Sequence, residues 1–455
     1  MAHSFVSSLP FEIIGGHGGR SSAGCPLSAA GLVGDKPFVE TQYRDALNSL
    51  RQRPDEPLAV YVHVPFCHVR CLYCACDTTV THSLEKVDQY LDALEREMTL
   101  VTRLCGRDRE IEQLYVGGGT PNHLNEPQLA RLMEIVEHHF RLAPDARAAI
   151  ECNPRRASAG QLELLYGLGF RRVSFGVQDL NADVQRAIGR VQSLNMVRDV
   201  FQTARETGFE SINLDLIYGL PFQTRQGFKS TLEQILELNP DRVACFSYRH
   251  DPAARPHQHA INVDHLPKAP EKLALFQHAV STLTAAGYRW VGLDVFVRDT
   301  DELYAAQSGE GLYRNVIGYT PRPATDVLAF GPSGVGEVDG VLVQNETDLH
   351  AWQKHLNSGR LPVAWGRCLS ETDRRRREAM LYLMCNLRLP ASLAGDLGQE
   401  GYACLCRRAQ DGLIEVSDEG IRITPEGRYL LRDLCAEQGV LAKWEMNQLC
   451  LGMPS

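Results

Sequence analysis

The chain has 455 residues, 44% of them hydrophobic and 23% charged, with a formal net charge of −9. That length exceeds one ordinary core and calls for two or three domains, or one large barrel with additions. The acidic balance argues against general nucleic-acid binding, and no apolar run approaches the roughly 18 residues that a membrane span needs. The N-terminus shows no basic-then-apolar pattern, so no secretory signal is expected, and the expected compartment is the cytoplasm, where thiols stay reduced.

Residues 1–55 are rich in Gly, Ser and Pro and carry one helical stretch, "TQYRDALNSLRQ"; they read as an arm packed on the body. From Leu58 a rhythm begins. "LAVYVHVPF" is short, apolar and β-branched, hence a strand, and "SLEKVDQYLDALEREMTLVTRL" has a Ser cap ahead of apolar residues at helical spacing. The alternation continues through the strands "IEQLYVGGG", "RAAIECNP", "RRVSFGVQ" and "SINLDLIYGLP", each followed by a helical segment. Strand "RVACFSY" precedes a long irregular stretch, then the helix "EKLALFQHAVSTLTAAG" and the strand "RWVGLDVF". Repeated strand–helix units predict an α/β fold over residues 56–365, a parallel sheet wrapped by helices and closed as a full or partial (β/α) barrel. Polar residues and glycines cluster after each strand, at the sheet edge where such folds build active sites. Over residues 366–455 helices surround "LIEVSDEGIRITPEG", two short strands about a turn, which predicts a small C-terminal helical, winged-helix-like domain that covers the barrel.

Of the 14 cysteines, ten are scattered and read mostly as small buried apolar side chains. The others crowd into one loop directly after the first strand: Cys67, Cys71 and Cys74 in a C-x3-C-x2-C spacing, and Cys76 two residues on. A disulfide staple does not suit the compartment. Zinc usually takes four ligands in two separated pairs, and no second pair has matching spacing, although His63 or Cys76 could complete a site. A [4Fe–4S] cluster held by three thiolates suits the spacing better. Its fourth iron lacks a cysteine and is open to nitrogen and oxygen donors such as an amino acid's amine and carboxylate.

The cysteine spacing, with Tyr73 before the third cysteine, resembles the radical S-adenosylmethionine (SAM) superfamily. "YVHVPFCHVRCLYCAC" resembles more narrowly the oxygen-independent coproporphyrinogen III oxidase family, as do "GGGTPNHL", "GFRRVSFGVQDLNADVQRAIGR", "NLDLIYGLPFQT", "ELNPDR" and the C-terminal "DGLIEV"; the likeness covers most of residues 56–450. The resemblance implies a [4Fe–4S] cluster on Cys67, Cys71 and Cys74 and SAM as cofactors. The reduced cluster cleaves SAM to methionine and a 5′-deoxyadenosyl radical, which takes hydrogen from a propionate; CO2 and an electron then leave. Two propionates of coproporphyrinogen III become vinyls in this way, giving protoporphyrinogen IX in heme biosynthesis. By the same resemblance Tyr61 and Cys76 are catalytic candidates, Cys76 following the ligands without being one. Tyr61, Tyr73, Gly118, Gly119, Thr120, Glu151, Gln178, Arg190, Asp215, Arg249 and Val335 fall on cofactor-contact positions. The implied partners are a tetrapyrrole substrate and an electron donor such as flavodoxin or ferredoxin, with the chain a monomer.

Several positions depart from that family. "GGRSSAGCPLSA" replaces an aromatic-rich N-terminal arm, Val316 and Ile317 replace a Phe-Gln pair that contributes to a second SAM site, and Val295 replaces a histidine. Arg249 replaces a small residue, and Val335 is a mild change from Ile. These changes leave two further readings: a diverged radical enzyme, either a tetrapyrrole-modifying enzyme or a methyltransferase, and a heme-binding trafficking protein. A substrate with four carboxylates needs cations, and Arg155, Arg156, Arg171 and Arg172 are candidates by charge, although exposed salt-bridging arginines are the commoner case.

Overall fold

A computed structural model describes residues 40–436. Its main sheet has twelve strands. They are β1 Leu58–Val64, β2 Arg109–Gly118, β3 Phe140–Cys152, β4 Arg172–Gln178, β5 Ser211–Tyr218, β6 Arg242–Ser247, β7 Arg289–Val291, β8 Val295–Val297, β9 Asp326–Phe330, β10 Val335–Val338, β11 Val341–Asn345 and β12 Val363–Cys368. The spatial order is β12-β11-β10-β9-β1-β2-β3-β4-β5-β6-β8-β7. Strands β9 and β1 to β6 run parallel, and antiparallel strands extend both edges. Strands β7 and β12 do not pair among the described residues, so the barrel is partial rather than full.

The parallel strands form for the expected reason. Covered by helices on one side and by the barrel interior on the other, they are buried on both faces, and every residue of β1 is buried. The helix Leu84–Cys105 begins where Ser83 accepts a hydrogen bond from the Lys86 N–H, a cap that contributes about 1 kcal/mol. It buries Val87, Tyr90, Leu91, Leu94, Met98 and Val101 against the sheet, the stripe that its apolar spacing demands.

Three sequence expectations need correction. "RWVGLDVF" is not one strand but a tight antiparallel pair, β7 and β8, turned at Gly292, whose φ is +56°. Strand β3 starts at Phe140, seven residues before the expected Arg147, and pairs with β2 through a register shift. The stretch from residue 326 to 368 supplies four strands that local pattern did not announce. Strand β9 lies beside β1, far from it in sequence, with Tyr61 opposite Ala329. A buried carboxylate holds this return in place: Glu97 accepts from the Gly331 N–H at 2.8 Å, from Asn345 Nδ2 at 2.6 Å and from Trp352 Nε1 at 3.2 Å.

The helix Glu40–Leu50 confirms the helical stretch of the N-terminal arm and buries Tyr43, Leu47 and Leu50. The arm segment "GGRSSAGCPLSA", Cys25 and Cys450 lie outside the described residues. In the C-terminal region the helices Glu371–Asn386 and Gly398–Gln410 pack on the expected hairpin Ile414–Ser417 and Gly420–Ile423. A third strand, Arg388–Pro390, pairs with Gly420–Ile423 and was not foreseen. Arg432 reaches Asp294 of the β7–β8 turn at 3.0 Å, and Asn386 Nδ2 donates to the Leu312 carbonyl at 3.1 Å.

Candidate active site

Alternation along the parallel strands aims every second side chain at the barrel interior, and in-register neighbours form rows. Tyr61 of β1 pairs with Tyr115 of β2. Glu151 of β3 pairs with Ser174 of β4, which pairs with Asn213 of β5. Gly176 pairs with Asp215. These polar rows open toward the C-terminal ends of the strands, where a cavity of about 360 Å³ forms. Its wall includes Cys67, Cys71, Cys74 and Cys76, together with Tyr61, Tyr73, Gly118, Gly119, Thr120, Glu151, Gln178, Arg190, Asp215, Arg249 and Val335. One cavity therefore brings together the three cluster cysteines, Cys76 and every cofactor-contact position that the resemblance implied.

The cysteine loop leaves β1 and crosses the cavity mouth. Cys67 and Cys71 are buried, Cys74 is half-buried and Cys76 is exposed. Thr120 Oγ1 lies 3.4 Å from Cys67 Sγ, and Arg190 Nη1 donates to Cys71 Sγ at 3.6 Å. Among the described residues no three His, Cys, Asp or Glu side chains converge on a single ion.

Arg190 is buried and anchored. Its Nη2 donates to the Gly176 carbonyl at 2.6 Å and to Asn153 Oδ1 at 3.3 Å, while its Nε has no partner among the described residues. Gln178 ends β4 at a φ of +68°, a conformation that turns its amide out of the strand, and its buried Oε1 also lacks a partner. Glu151 accepts from the Tyr115 hydroxyl at 2.8 Å and from the Gly118 N–H at 3.1 Å; burial pushes its carboxyl up to about 8. Asp215 accepts from Asn213 Nδ2 at 2.6 Å and from Ser174 Oγ at 3.0 Å, and burial raises it to about 7. Asp215 lies mid-strand rather than at the strand end, and reaches the cavity because it faces inward.

Sequence reasoning left His63 open only as a zinc ligand; the structure gives it a different place. It is buried and shares the inward face of β1 with Tyr61, two residues earlier. Its Nε2 lies 3.1 Å from the Asp77 carbonyl, which can only accept, so Nε2 carries the proton and Nδ1 accepts from the Tyr61 hydroxyl at 3.0 Å. Burial lowers the His63 pKa, which keeps the ring neutral. Tyr115, Asn153, Ser174 and Asn213 were also missed. The signal was the period-two alternation of polar with apolar residues, in "YVHV" for His63, "QLYV" for Tyr115, "ECN" for Asn153, "VSFG" for Ser174 and "NLDL" for Asn213.

Arg171 and Arg172 stand at the start of β4, the opposite end of the sheet from the cavity. Arg171 donates to the Tyr166 carbonyl at 2.8 Å and Arg172 pairs with Glu302, so neither is a substrate cation. Val316 and Ile317 are buried in an apolar cluster with Tyr61, Tyr115, Ala329 and Val335, directly beneath the cavity. Val295 is buried in β8, in a cluster with Val291, Leu303 and Tyr319.

The family model described as the Radical SAM superfamily matches residues 61–235. The chain is 39% identical to the oxygen-independent coproporphyrinogen III oxidase of Salmonella typhimurium over 397 residues, 86% of this chain and 87% of that one. It is 38% identical to the Pseudomonas aeruginosa protein of the same name over 403 residues, 86% of this chain and 88% of the other. The solved structure of coproporphyrinogen III oxidase (HemN) from Escherichia coli, described as a radical SAM enzyme, superposes with a TM-score of 0.84 at 38% identity, covering 88% of this chain and 94% of that chain. This chain belongs to the oxygen-independent coproporphyrinogen III oxidase family. Membership implies a [4Fe–4S] cluster and SAM as cofactors. The cavity suits both. Three thiols reach it from one loop, and two of the residues that line it, Gln178 and Arg190, carry buried polar atoms, Oε1 and Nε, without a partner among the described residues. Glu151 and Asp215 supply carboxylates for a cationic one.

Proposed function

We propose that this chain carries out the anaerobic oxidative decarboxylation of two propionates of coproporphyrinogen III, with residues 56–365 holding the chemistry and residues 366–455 closing over the barrel. In this reading Cys67, Cys71 and Cys74 hold three irons of the cluster. Together the bound cofactors supply one-electron hydrogen abstraction, which a protein side chain cannot perform. Glu151 takes the cofactor's amine and Arg190 its carboxylate. The backbone of Gly118 and Gly119, with Thr120, lines the methionine portion. Gln178 and Asp215 take ribose and base polar atoms, and Tyr61 and Tyr73 close the sides. Arg249 stands exposed at the rim, and Val335 belongs to the buried apolar wall. Tyr61 also keeps its hydroxyl proton pointed at His63 Nδ1, so its lone pairs face the cavity. Cys76, exposed beside the ligands, is left for the reacting end. Cavity walls exclude bulk water from the reacting atoms.

The observation that carries this reading is the opening of the three-cysteine loop onto the same cavity as Glu151, Gln178, Arg190 and Asp215, in a chain 39% identical to a named oxidase. The partners in this reading are the tetrapyrrole and a flavodoxin or ferredoxin, and the chain acts as a cytoplasmic monomer. A second reading, a radical enzyme with another substrate, is favoured by the apolar Val316–Ile317 pair. The test is an anaerobic assay of reconstituted protein with dithionite, SAM and coproporphyrinogen III. The oxidase releases CO2 and forms protoporphyrinogen IX. SAM cleavage that leaves the porphyrinogen untouched supports the second reading. Stoichiometric heme binding without SAM cleavage overturns both in favour of a carrier.

A further inference from the structure

A protein with net charge −9 carries a cationic surface around its cysteine loop. Arg70 is exposed between Cys67 and Cys71, and among the described residues its guanidinium bonds only Thr78, through Oγ1 and the carbonyl. Arg155 is half-buried beside Asn153, with its Nε 3.5 Å from Asn153 Oδ1, the same oxygen that receives Arg190. Arg156 is exposed next to it. Among the described residues none of these three arginines has a carboxylate partner, whereas the nearby Asp77 is taken by Arg255. Three imidazoles join them: His68 stacks edge-on against His82 with centroids 4.1 Å apart, and His123 lies 6.3 Å from His68. Burial, followed by the charge of Arg156, pushes His123 down to about 4.

Exposed apolar side chains lie among these arginines. Val69 is 56% exposed, and Val80, paired with Cys67 across a two-residue bridge, is 45% exposed. Val191, the residue after Arg190, is 63% exposed. Apolar contacts inside a ring of unpaired like charges are what a transient, charge-steered interface needs. Arg70 and Val69 belong to the loop that carries the cysteines, where Cys74 is half-buried and Cys76 exposed, so a partner on this face stands near the sulfurs, and electron transfer weakens steeply as the separation grows.

We propose that this face, Arg70, Arg155 and Arg156 around Val69, Val80 and Val191, is the docking site for an acidic one-electron carrier protein. The proposal rests on the radical SAM reading of the cavity. At each docking the carrier loses one electron and is oxidised, and the iron–sulfur group behind Cys67 and Cys71 gains it; no bond is made or broken. Opposite charge raises the encounter rate by 10- to 1000-fold over an uncharged surface, an advantage that salt removes.

The test uses reconstituted holoenzyme and the double variant Arg156→Glu, His82→Glu, two exposed positions off the cavity wall. Methionine formation from SAM is followed with two reductants, dithionite and a reduced flavodoxin of strongly acidic surface. With dithionite, the variant is expected to stay within about twofold of the parent. With flavodoxin, kcat/KM should fall at least about tenfold, mostly through KM, and the parent's steep loss of rate with added NaCl should flatten. Binding of oxidised flavodoxin to the cluster-free chain, measured by fluorescence anisotropy, should weaken in parallel. Unchanged flavodoxin kinetics and binding in the variant overturn the proposal. Equal losses with both reductants overturn it as well, because the residues would then support the site rather than the carrier. If the parent leaves coproporphyrinogen III untouched while cleaving SAM, the substrate reading fails and the reductant comparison still decides the docking face.

Discussion

Gly118→Ala is the most diagnostic single change at the site. Gly118 has φ +111°, and a Cβ built there falls 2.8 Å from the His63 ring atoms Cε1 and Nδ1. The backbone conformation alone costs a residue with a side chain about 1–3 kcal/mol. Relief of the overlap needs the ring to move, yet both of its nitrogens are engaged, with the Tyr61 hydroxyl at 3.0 Å and the Asp77 carbonyl at 3.1 Å. Breaking those two bonds in a buried place costs about 1 kcal/mol each, so the total is about 3–5 kcal/mol. The substitution also shifts the N–H that Glu151 receives at 3.1 Å. Chemical denaturation and equilibrium dialysis with SAM should therefore show a large stability loss together with weakened cofactor binding. The steric part is separable. In the double variant Gly118→Ala, His63→Ala the ring is gone, and the loss should be smaller than the sum of the two single losses by about 1–2 kcal/mol. Additive losses would sink the packing argument, as would an alanine variant that unfolds and binds like the parent.

The remaining predictions concern the cysteines, a carboxylate and the apolar floor. Cys71→Ala should abolish iron and sulfide retention after anaerobic reconstitution, whereas Cys76→Ala should keep the visible absorption of the cluster and lose product formation. Glu151 is held up to about 8 by burial, so below that pH it is largely protonated and cannot pair with an ammonium. SAM affinity should accordingly rise as pH climbs from 6 to 8, by up to about tenfold per unit, and Glu151→Gln should flatten that profile in a dialysis titration. Ile317→Gln places an amide in the apolar cluster of Tyr61, Val316 and Val335. It should lower stability by about 1–3 kcal/mol in denaturant melts, and an unchanged midpoint would mean that a polar partner is already within reach.

The cysteine loop was legible because its chemistry is compressed into consecutive residues. The helices and strands β1 to β6 were legible because each is a local element with its own apolar period. Glu151, Gln178, Arg190 and Asp215 could be named only through the family likeness, since any one of them alone looks like a solvated rim residue. His63 shows what pattern reading lacked: its two-residue spacing from Tyr61 marks a shared face, but only the Asp77 carbonyl fixes which nitrogen bears the proton.

Sequence alone determined the repeating strand–helix rhythm, the three-thiol loop after the first strand and the glycines beside it, since these depend on neighbours a few residues apart. Tertiary structure decided the rest. It set β9 beside β1, left the barrel open at β7 and β12, sent Arg171 and Arg172 to the far end, and gathered unpaired arginines around the cysteines. Those outcomes depend on pairings between distant segments and on charges that meet only after folding, and no local period encodes either.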